Sequence, residues 1–195
     1  MFANRFTATI DACVLAGVLR RNLILTLAQW EFFRVRWSDE ILGETERAIA
    51  GLFAKKGDLN AAEKGAKARA SMEKAFEDAM VSGYARYLPM CEGVDPGDAH
   101  VIAVALKTQA QVIVTDNLKH FPATLLEPLN LEAKSADAFI ADTIALDIGR
   151  AVAAIHQMRQ RLERPAMTAS DLLVMMDANG LTTAVNILQP HEASL

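Results

Sequence analysis

Runs of alternating or continuous apolar residues predict three strands. Residues 5–10 read RFTATI, in which apolar residues alternate with threonines, and residues 31–37, EFFRVRW, alternate in the same way. A period of two is typical of β-strands. Residues 110–115, AQVIVT, are almost continuously apolar. This run suits a strand that is covered on both faces, as in a parallel sheet.

Between these runs, apolar positions recur every three or four residues, which predicts helices. The first should be capped by Asp11 and end near Arg20 and Arg21, where cations suit the helix dipole. Ser38 or Asp39 should cap the second. The predicted helices follow Asp11, cover 39–53 and 60–80, and begin again at Asp95, with Pro96 in the first turn and a loop over 84–93.

From about residue 134 the pattern contains helices alone. Their predicted spans are 137–147, 149–163, 169–178 and 182–188, with breaks at Arg164-Pro165 and Asn179-Gly180. We therefore expect a main domain over 1–133 and a helical appendage over 134–195. The alternation of strands and helices in the main domain predicts an α/β fold with a parallel sheet.

Composition excludes several classes of protein. The 195 residues are 52% hydrophobic, enough for a packed core, and the net charge of −4 argues against binding nucleic acid by bulk charge. Cys13 and Cys91 have no zinc spacing and are expected to be buried thiols in a reducing cytosol. With no signal peptide and no apolar run of about 20 residues, we expect a cytoplasmic protein with no membrane partner.

Four acids are candidates for chemistry. Asp11 and Asp116 directly follow predicted strands, and Glu44 and Asp98 lie on helices that could frame the same sheet edge. Carboxylates gathered there would repel one another unless a cation joined them, and hard oxygen donors favour Mg²⁺ or Mn²⁺. Each acid also has a structural alternative: a cap or turn for the two aspartates after strands, a helix-dipole role for Asp98, and a surface pair with Arg47 for Glu44.

The segments TIDACVL, SDEILGE, PGDAHVIAVAL and VIVTDNLKHFP, in this order, resemble the PIN-domain family over residues 5–140, and in particular its VapC-like toxins. The resemblance implies a three-layer α/β/α sandwich with a central parallel sheet. It also implies Mg²⁺- or Mn²⁺-dependent endoribonuclease activity on tRNA or another structured RNA, a cognate antitoxin that blocks the site, and a homodimer in many members. The acids of the family fall on Asp11, Glu44, Asp98 and Asp116.

The resemblance also bears on neighbouring residues. The last acid of DEILGE is Glu44, which leaves Glu40 as a neighbour one turn earlier, and Asp95 is a similar rival to Asp98. Thr115 is expected to hydrogen-bond a metal ligand or water, and Asn117 to support the site. In the hypothetical mechanism the aspartates hold one or two metal ions while Glu44 serves as a ligand or general base. Water then displaces the 3′ oxygen and leaves a 5′ phosphate.

RNA would have to approach this acidic site through local basic faces. Arg34 and Arg36 alternate on one side of a predicted strand, and Lys64, Lys67 and Lys74 line one face of a predicted helix. These five residues are the candidates for phosphate contacts. The alternative for each of them is an ordinary solvated surface.

Two other functions compete with the nuclease. A metal-dependent hydrolase of small phosphate esters often carries two aspartates in a DxD motif after the first strand, whereas this chain has Asp11-Ala12-Cys13. The second is a catalytically idle PIN-fold module for RNA binding or interaction, which the presence of all four acids disfavours. A nucleotide-cofactor enzyme is disfavoured because GxGxxG and GxxxxGK[ST] are both missing.

Overall fold

The computed structural model describes residues 6–162 and 166–195. Arg5, residue 163 and the predicted break at Arg164-Pro165 lie outside these ranges. The strands are β1 (Thr7–Ile10), β2 (Arg34–Arg36), β3 (Val112–Val114) and β4 (Glu132–Lys134). The helices are α1 (Ala12–Ala16), α2 (Val18–Gln29), α3 (Asp39–Ala54), α4 (Ala61–Ala75), α5 (Ala99–Thr108), α6 (Ala123–Leu126), α7 (Ala136–Leu146), α8 (Ile148–Gln160), α9 (Ala169–Ala178) and α10 (Thr182–Leu188).

The four strands form one parallel sheet in the order β2-β1-β3-β4. Ala8 of β1 is paired with Val35 of β2 on one side and with Val112 of β3 on the other. The predicted α/β class with a central parallel sheet is thereby confirmed. The chain adds β2 on one side of β1 and β3 on the other, so the strand order reverses between β1 and β3. In such sheets, ligands bind beyond the carboxyl ends of the strands at the position where the order reverses.

The chain divides into two compact units that do not follow its order. One unit contains the residues up to Gly17 together with Arg34–Lys134, and the other contains Val18–Phe33 together with Ser135–Leu195. The first unit holds the whole sheet. The predicted boundary between residues 133 and 134 stays a prediction.

In the first unit, α3 and α4 pack closely against each other. The Ser38 hydroxyl accepts a hydrogen bond from the Ile41 backbone N–H at 3.2 Å, which caps α3. Gly65 of α4 lies so near α3 that a Cβ added there would be 2.6 Å from the Glu46 carbonyl oxygen. The absence of a side chain at Gly65 therefore allows the two helix backbones to approach.

The second unit is helical, and the four helices predicted after residue 134 are present there, so the predicted C-terminal helical region is confirmed. Arg150 of α8 donates to the Trp30 carbonyl at 2.7 Å and stacks over the Phe32 ring at 4.2 Å. The Asp137 carboxylate accepts from the Thr183 and Ala184 backbone N–H groups in the first turn of α10. Among the described residues, no helix combines the length and apolar character needed to cross a bilayer.

Several local predictions were wrong. Arg20 and Arg21 lie near the start of α2, because the helix after Asp11 breaks at Gly17 and a second helix runs on to Gln29. Residues 85–91 of the predicted loop form a 3₁₀ helix. The helix predicted to begin at Pro96 is α5, which begins at Ala99, so its N-cap residue is Asp98 rather than Asp95. Strand β4 was not predicted.

Candidate active site

Asp11 follows β1 at the point where the strand order reverses. It is 6% exposed. Its backbone N–H donates to the Val114 carbonyl at 3.0 Å and so continues the hydrogen bonding between β1 and β3. The sequence predicted that the Asp11 carboxylate would cap α1, but it forms no hydrogen bond with the N-terminus of that helix. Instead Oδ2 accepts from the Thr115 hydroxyl at 2.7 Å and from the Cys13 thiol at 3.1 Å. Residues that follow β1 and β3 are thus joined by side-chain hydrogen bonds.

The Thr115 hydroxyl connects three groups. It donates to Asp11, accepts from the Asn117 backbone N–H at 3.0 Å, and lies 3.5 Å from the Cys13 sulfur. The same sulfur accepts from the Asp116 backbone N–H at 3.4 Å. The backbone after β3 is therefore held against Asp11 by two side chains, while Asp116 itself is exposed.

Cys13 was expected to be buried, but it is exposed. Its thiol nevertheless contacts the Asp11 carboxylate, the Thr115 hydroxyl and the Asp116 backbone N–H. Burial, followed by the charge of Asp11, raises the pKa of Cys13 to about 11. The thiol is therefore protonated at neutral pH and can donate to Asp11. Cys91 is buried, as expected.

A second set of contacts joins Asp98 to Asn117 through His120. The His120 Nδ1 lies 2.7 Å from the Asp98 Oδ2 and 2.7 Å from the Asn117 Nδ2. If Nδ1 of His120 carries a proton, it donates to Asp98, and if it does not, it accepts from the Asn117 amide. The tautomer of His120 and the orientation of the Asn117 amide therefore depend on each other. The sequence analysis did not name His120 as a candidate, and its spacing of three residues from Asn117 suits the 3₁₀ turn over Leu118–His120.

Glu44 lies in a third group, with Glu40 and His100. Its Oε2 is 3.5 Å from the His100 Nε2, and one ligand atom from each of the three side chains lies within 4.8 Å of the others. Burial, followed in smaller measure by the charges of Asp11 and Glu40, raises the pKa of Glu44, while His100 and Arg47 oppose the rise. The sequence analysis did not name His100 as a candidate, because a histidine in an apolar helix segment is more often a packing residue than a ligand.

These contacts bring some of the predicted residues together. Hydrogen bonds link Asp11 to Thr115, Thr115 to Asn117, and Asn117 through His120 to Asp98. The four predicted acids do not form a group whose ligand atoms all lie within 4.8 Å of one another. Within the described ranges, the acids, histidines and cysteines that meet this criterion are Glu40, Glu44 and His100. The four-carboxylate site accordingly stays a prediction.

The donor chemistry around Asp11 nonetheless fits a divalent cation. Burial, together with the negative charges of Asp11 and Glu40, raises the pKa of Glu44. A hard cation would relieve this repulsion, and carboxylate oxygens are the ligands that Mg²⁺ and Mn²⁺ prefer.

The predicted basic residues differ in their surroundings. Arg36 donates to the Val35 and Asp78 carbonyls, and burial together with the charge of Arg34 lowers its pKa. Lys64 forms an ion pair with Asp58. The residues of this set that are exposed on the surface are Arg34, Lys64, Lys67 and Lys74.

Comparisons with known proteins identify relatives of both parts of the chain. The family model described as "PIN domain" matches residues 7–119, more than half of the chain, and the model described as "VapC50 C-terminal domain" matches residues 136–190. A Mycobacterium tuberculosis protein named "Putative ribonuclease VapC50" is 40% identical over 76 residues, which are 39% of this chain and 45% of that relative. The chain thus spans less than half the length of the relative it matches. No solved structure matches it significantly.

Proposed function

Because the chain belongs to the PIN-domain family, we propose that it is a metal-dependent endoribonuclease. The acids that would carry the reaction are Asp11, Glu44, Asp98 and Asp116. The hydrogen bond from Thr115 to Asp11 supports this assignment most directly. It orients a buried carboxylate at the reversal point of a parallel sheet, where such folds bind their ligands.

A bound Mg²⁺ or Mn²⁺ would polarise a phosphoryl oxygen and make a nucleophilic water available near neutral pH. Asp11, Asp98 and Asp116 are the residues proposed to hold it. Thr115 fixes the Asp11 carboxylate, and His120 restricts the rotation of the Asp98 side chain. Glu44 would act as a further ligand or as the base that orients water, with the 3′ oxygen leaving and a 5′ phosphate remaining.

The substrate and partners follow from the family and from the named relative. We propose a structured RNA, tRNA among the candidates, as substrate, and a toxin–antitoxin pair in which a cognate antitoxin covers the acidic site. A homodimer belongs to the same proposal. The exposed Arg34, Lys67 and Lys74 are the better candidates for phosphate contacts, because the cation of Lys64 already has an acidic partner.

The decisive experiment compares Asp11→Asn with the unchanged protein on total tRNA and on a generic phosphate ester, with Mn²⁺ and with a chelator. We expect at least a 100-fold loss of RNA cleavage in the variant and in the chelator, because the first removes a ligand charge and the second the metal. Asp95→Asn, in an exposed turn before α5, is the matched control and should retain activity.

Three results would count against the proposal. Cleavage of the ester alone would favour a phosphohydrolase of small esters. RNA binding without cleavage, unchanged by Asp11→Asn, would favour an idle PIN-fold interaction module. Full RNA cleavage by Asp11→Asn would remove Asp11 from the mechanism.

A further inference from the structure

His100 is the least expected member of the group around Glu44. It lies in the first turn of α5 and is only 4% exposed. Its Nε2 is buried and has no hydrogen-bond partner among the described residues, although it faces the Glu44 Oε2 at 3.5 Å. An unsatisfied buried polar atom is costly. The ring nitrogen therefore points at a carboxylate without forming the bond that would offset its desolvation.

The distance between two of these donors, Glu44 and His100, is that of neighbouring ligands around an ion. Two atoms that are each about 2.1 Å from a tetrahedral ion lie about 3.4 Å apart. The separation between His100 Nε2 and Glu44 Oε2 is 3.5 Å. Glu40 lies one helical turn before Glu44 on α3 and supplies a third ligand atom within 4.8 Å of the others.

The Glu40 carboxylate is also supported from its other side. Its Oε2 accepts a hydrogen bond from the Tyr84 hydroxyl at 3.0 Å. Metal-binding carboxylates are commonly held by such outer partners, which fix their orientation. Two independent features, the unpartnered imidazole nitrogen and the supported carboxylate, thus converge on the same small space.

We propose that Glu40, Glu44 and His100 form a binding site for a divalent transition metal, with Zn²⁺ as the ion that their chemistry fits best. Imidazole nitrogen suits Zn²⁺ and its neighbours, whereas Mg²⁺ requires an octahedral shell of oxygens. Three protein ligands leave a fourth position open, as in catalytic rather than structural zinc sites. Glu44 belongs to this site and to the proposed nuclease site, so occupancy here would compete with or assist metal binding at Asp11.

The site can be tested with Co²⁺, which reports its coordination by visible absorption, and with Zn²⁺ in ¹⁵N NMR of the histidine rings. We expect one Co²⁺ per chain at this site, and a Zn²⁺-dependent shift of one histidine Nε2 signal that is missing in His100→Gln. Glu40→Gln and His100→Gln should each weaken Co²⁺ binding at least 10-fold while changing Mg²⁺ binding less than 3-fold. Glu63→Gln and His191→Gln are the matched controls outside the site.

Glu40→Gln keeps the test informative if His100→Gln fails to fold, because Glu40 is exposed. Unchanged Co²⁺ affinity in the folded variants would reduce the group to a simple ion pair and overturn the proposal. So would an equal loss of Co²⁺ binding in Asp116→Asn, which would place the ion among the aspartates instead. None of these measurements reads RNA cleavage, so the metal site stands or fails separately from the nuclease activity.

Discussion

At the scale of the residue, the chemistry of the candidate site depends on groups that hold the acids in place. The Thr115 hydroxyl is buried and is used twice, once as a donor to Asp11 and once as an acceptor from the Asn117 backbone. His120 has a similar position between Asn117 and Asp98. The orientation of Asp11 and Asp98, two of the proposed catalytic acids, thus depends on Thr115 and His120, which are not acidic.

Thr115→Val tests this dependence with almost no change in side-chain volume. The Asn117 N–H would lose its acceptor and Asp11 a donor, so we expect a loss of about 1–3 kcal/mol in the free energy of unfolding. We also expect a loss of about 10- to 100-fold in Mn²⁺ affinity, as is typical when the partner of a metal ligand is removed. Urea unfolding and calorimetric titration measure the two effects.

Thr115→Ser keeps the hydroxyl and is the matched control, which should retain most of both quantities. If the valine variant binds Mn²⁺ as tightly as the unchanged protein, the Thr115–Asp11 bond does not orient a metal ligand.

At the scale of the element, two glycines in helices of the first unit have opposite surroundings. A Cβ at Gly65 would lie 2.6 Å from the Glu46 carbonyl oxygen, whereas a Cβ at Gly51 would meet nothing within 4 Å. Alanine is favoured over glycine in a helix by about 1 kcal/mol. The same substitution should therefore have opposite effects at these two positions.

We expect Gly51→Ala to raise the free energy of unfolding by up to about 1 kcal/mol. Gly65→Ala should lower it by about 1–3 kcal/mol, because α3 and α4 must separate to admit the methyl group. Thermal and urea unfolding of the pair provide the measurement, each variant serving as the control for the other. A stabilising Gly65→Ala would show that the helices are not in close contact there.

In the second unit, α9 begins with a reciprocal cap. The Thr168 hydroxyl accepts from the Asp171 backbone N–H at 3.1 Å, and the Asp171 carboxylate accepts from the Thr168 backbone N–H at 3.1 Å. Hydrogen bonds from the Thr168 side chain and backbone lower the pKa of Asp171. A depressed carboxyl pKa contributes stability above the unfolded-state pKa, and that stability is lost as the pH falls through the folded-state value.

Asp171→Asn should therefore destabilise the protein at pH 7, and its difference from the unchanged protein should shrink as the pH falls below about 4. Urea unfolding at several pH values, with backbone amide exchange in α9 as a local readout, measures the change. Asp95→Asn, whose carboxylate lies in another unit, controls for the loss of one charge. A difference that is independent of pH would show that the Asp171 charge does not support the cap.

At the scale of the whole molecule, the sequence predicted the elements whose apolar pattern is strong. Val112–Val114 is buried and was recognised as a strand of a parallel sheet. Strand β4 was missed because its three residues, Glu132, Ala133 and Lys134, lie at the sheet edge and carry no apolar signal. Continuous helical periodicity likewise concealed the break at Gly17.

The candidate site was less predictable than the sheet. Acids that directly follow strands can be placed at a sheet edge from sequence, because parallel strands end on the same side. The positions of His100 and His120 depend instead on how α5 and the 3₁₀ turn pack, which no local pattern encodes. Both histidines contact predicted acids, at 3.5 Å from Glu44 and 2.7 Å from Asp98.

Helix α2 belongs to the same compact unit as the C-terminal helices, so we expect its stability to depend on residues after 134. Its apolar residues Leu23, Ile24 and Leu27 are fully buried, and α2 packs against α7 and α8 in the second unit. A chain cut after residue 133 keeps α2 and loses those partners. Each large side chain thereby exposed would cost about 1.5–3 kcal/mol.

We therefore expect the 1–133 fragment to be poorly soluble or to unfold at a clearly lower temperature than the full chain carrying the same tag. Size-exclusion chromatography and thermal unfolding provide the measurements. Replacing Leu23, Ile24 and Leu27 with polar residues should improve the solubility of the fragment, because it removes apolar side chains that the full chain buries. If the unmodified fragment is monodisperse and as stable as the full chain, residues 1–133 form an independent domain and the helical region is a separable appendage.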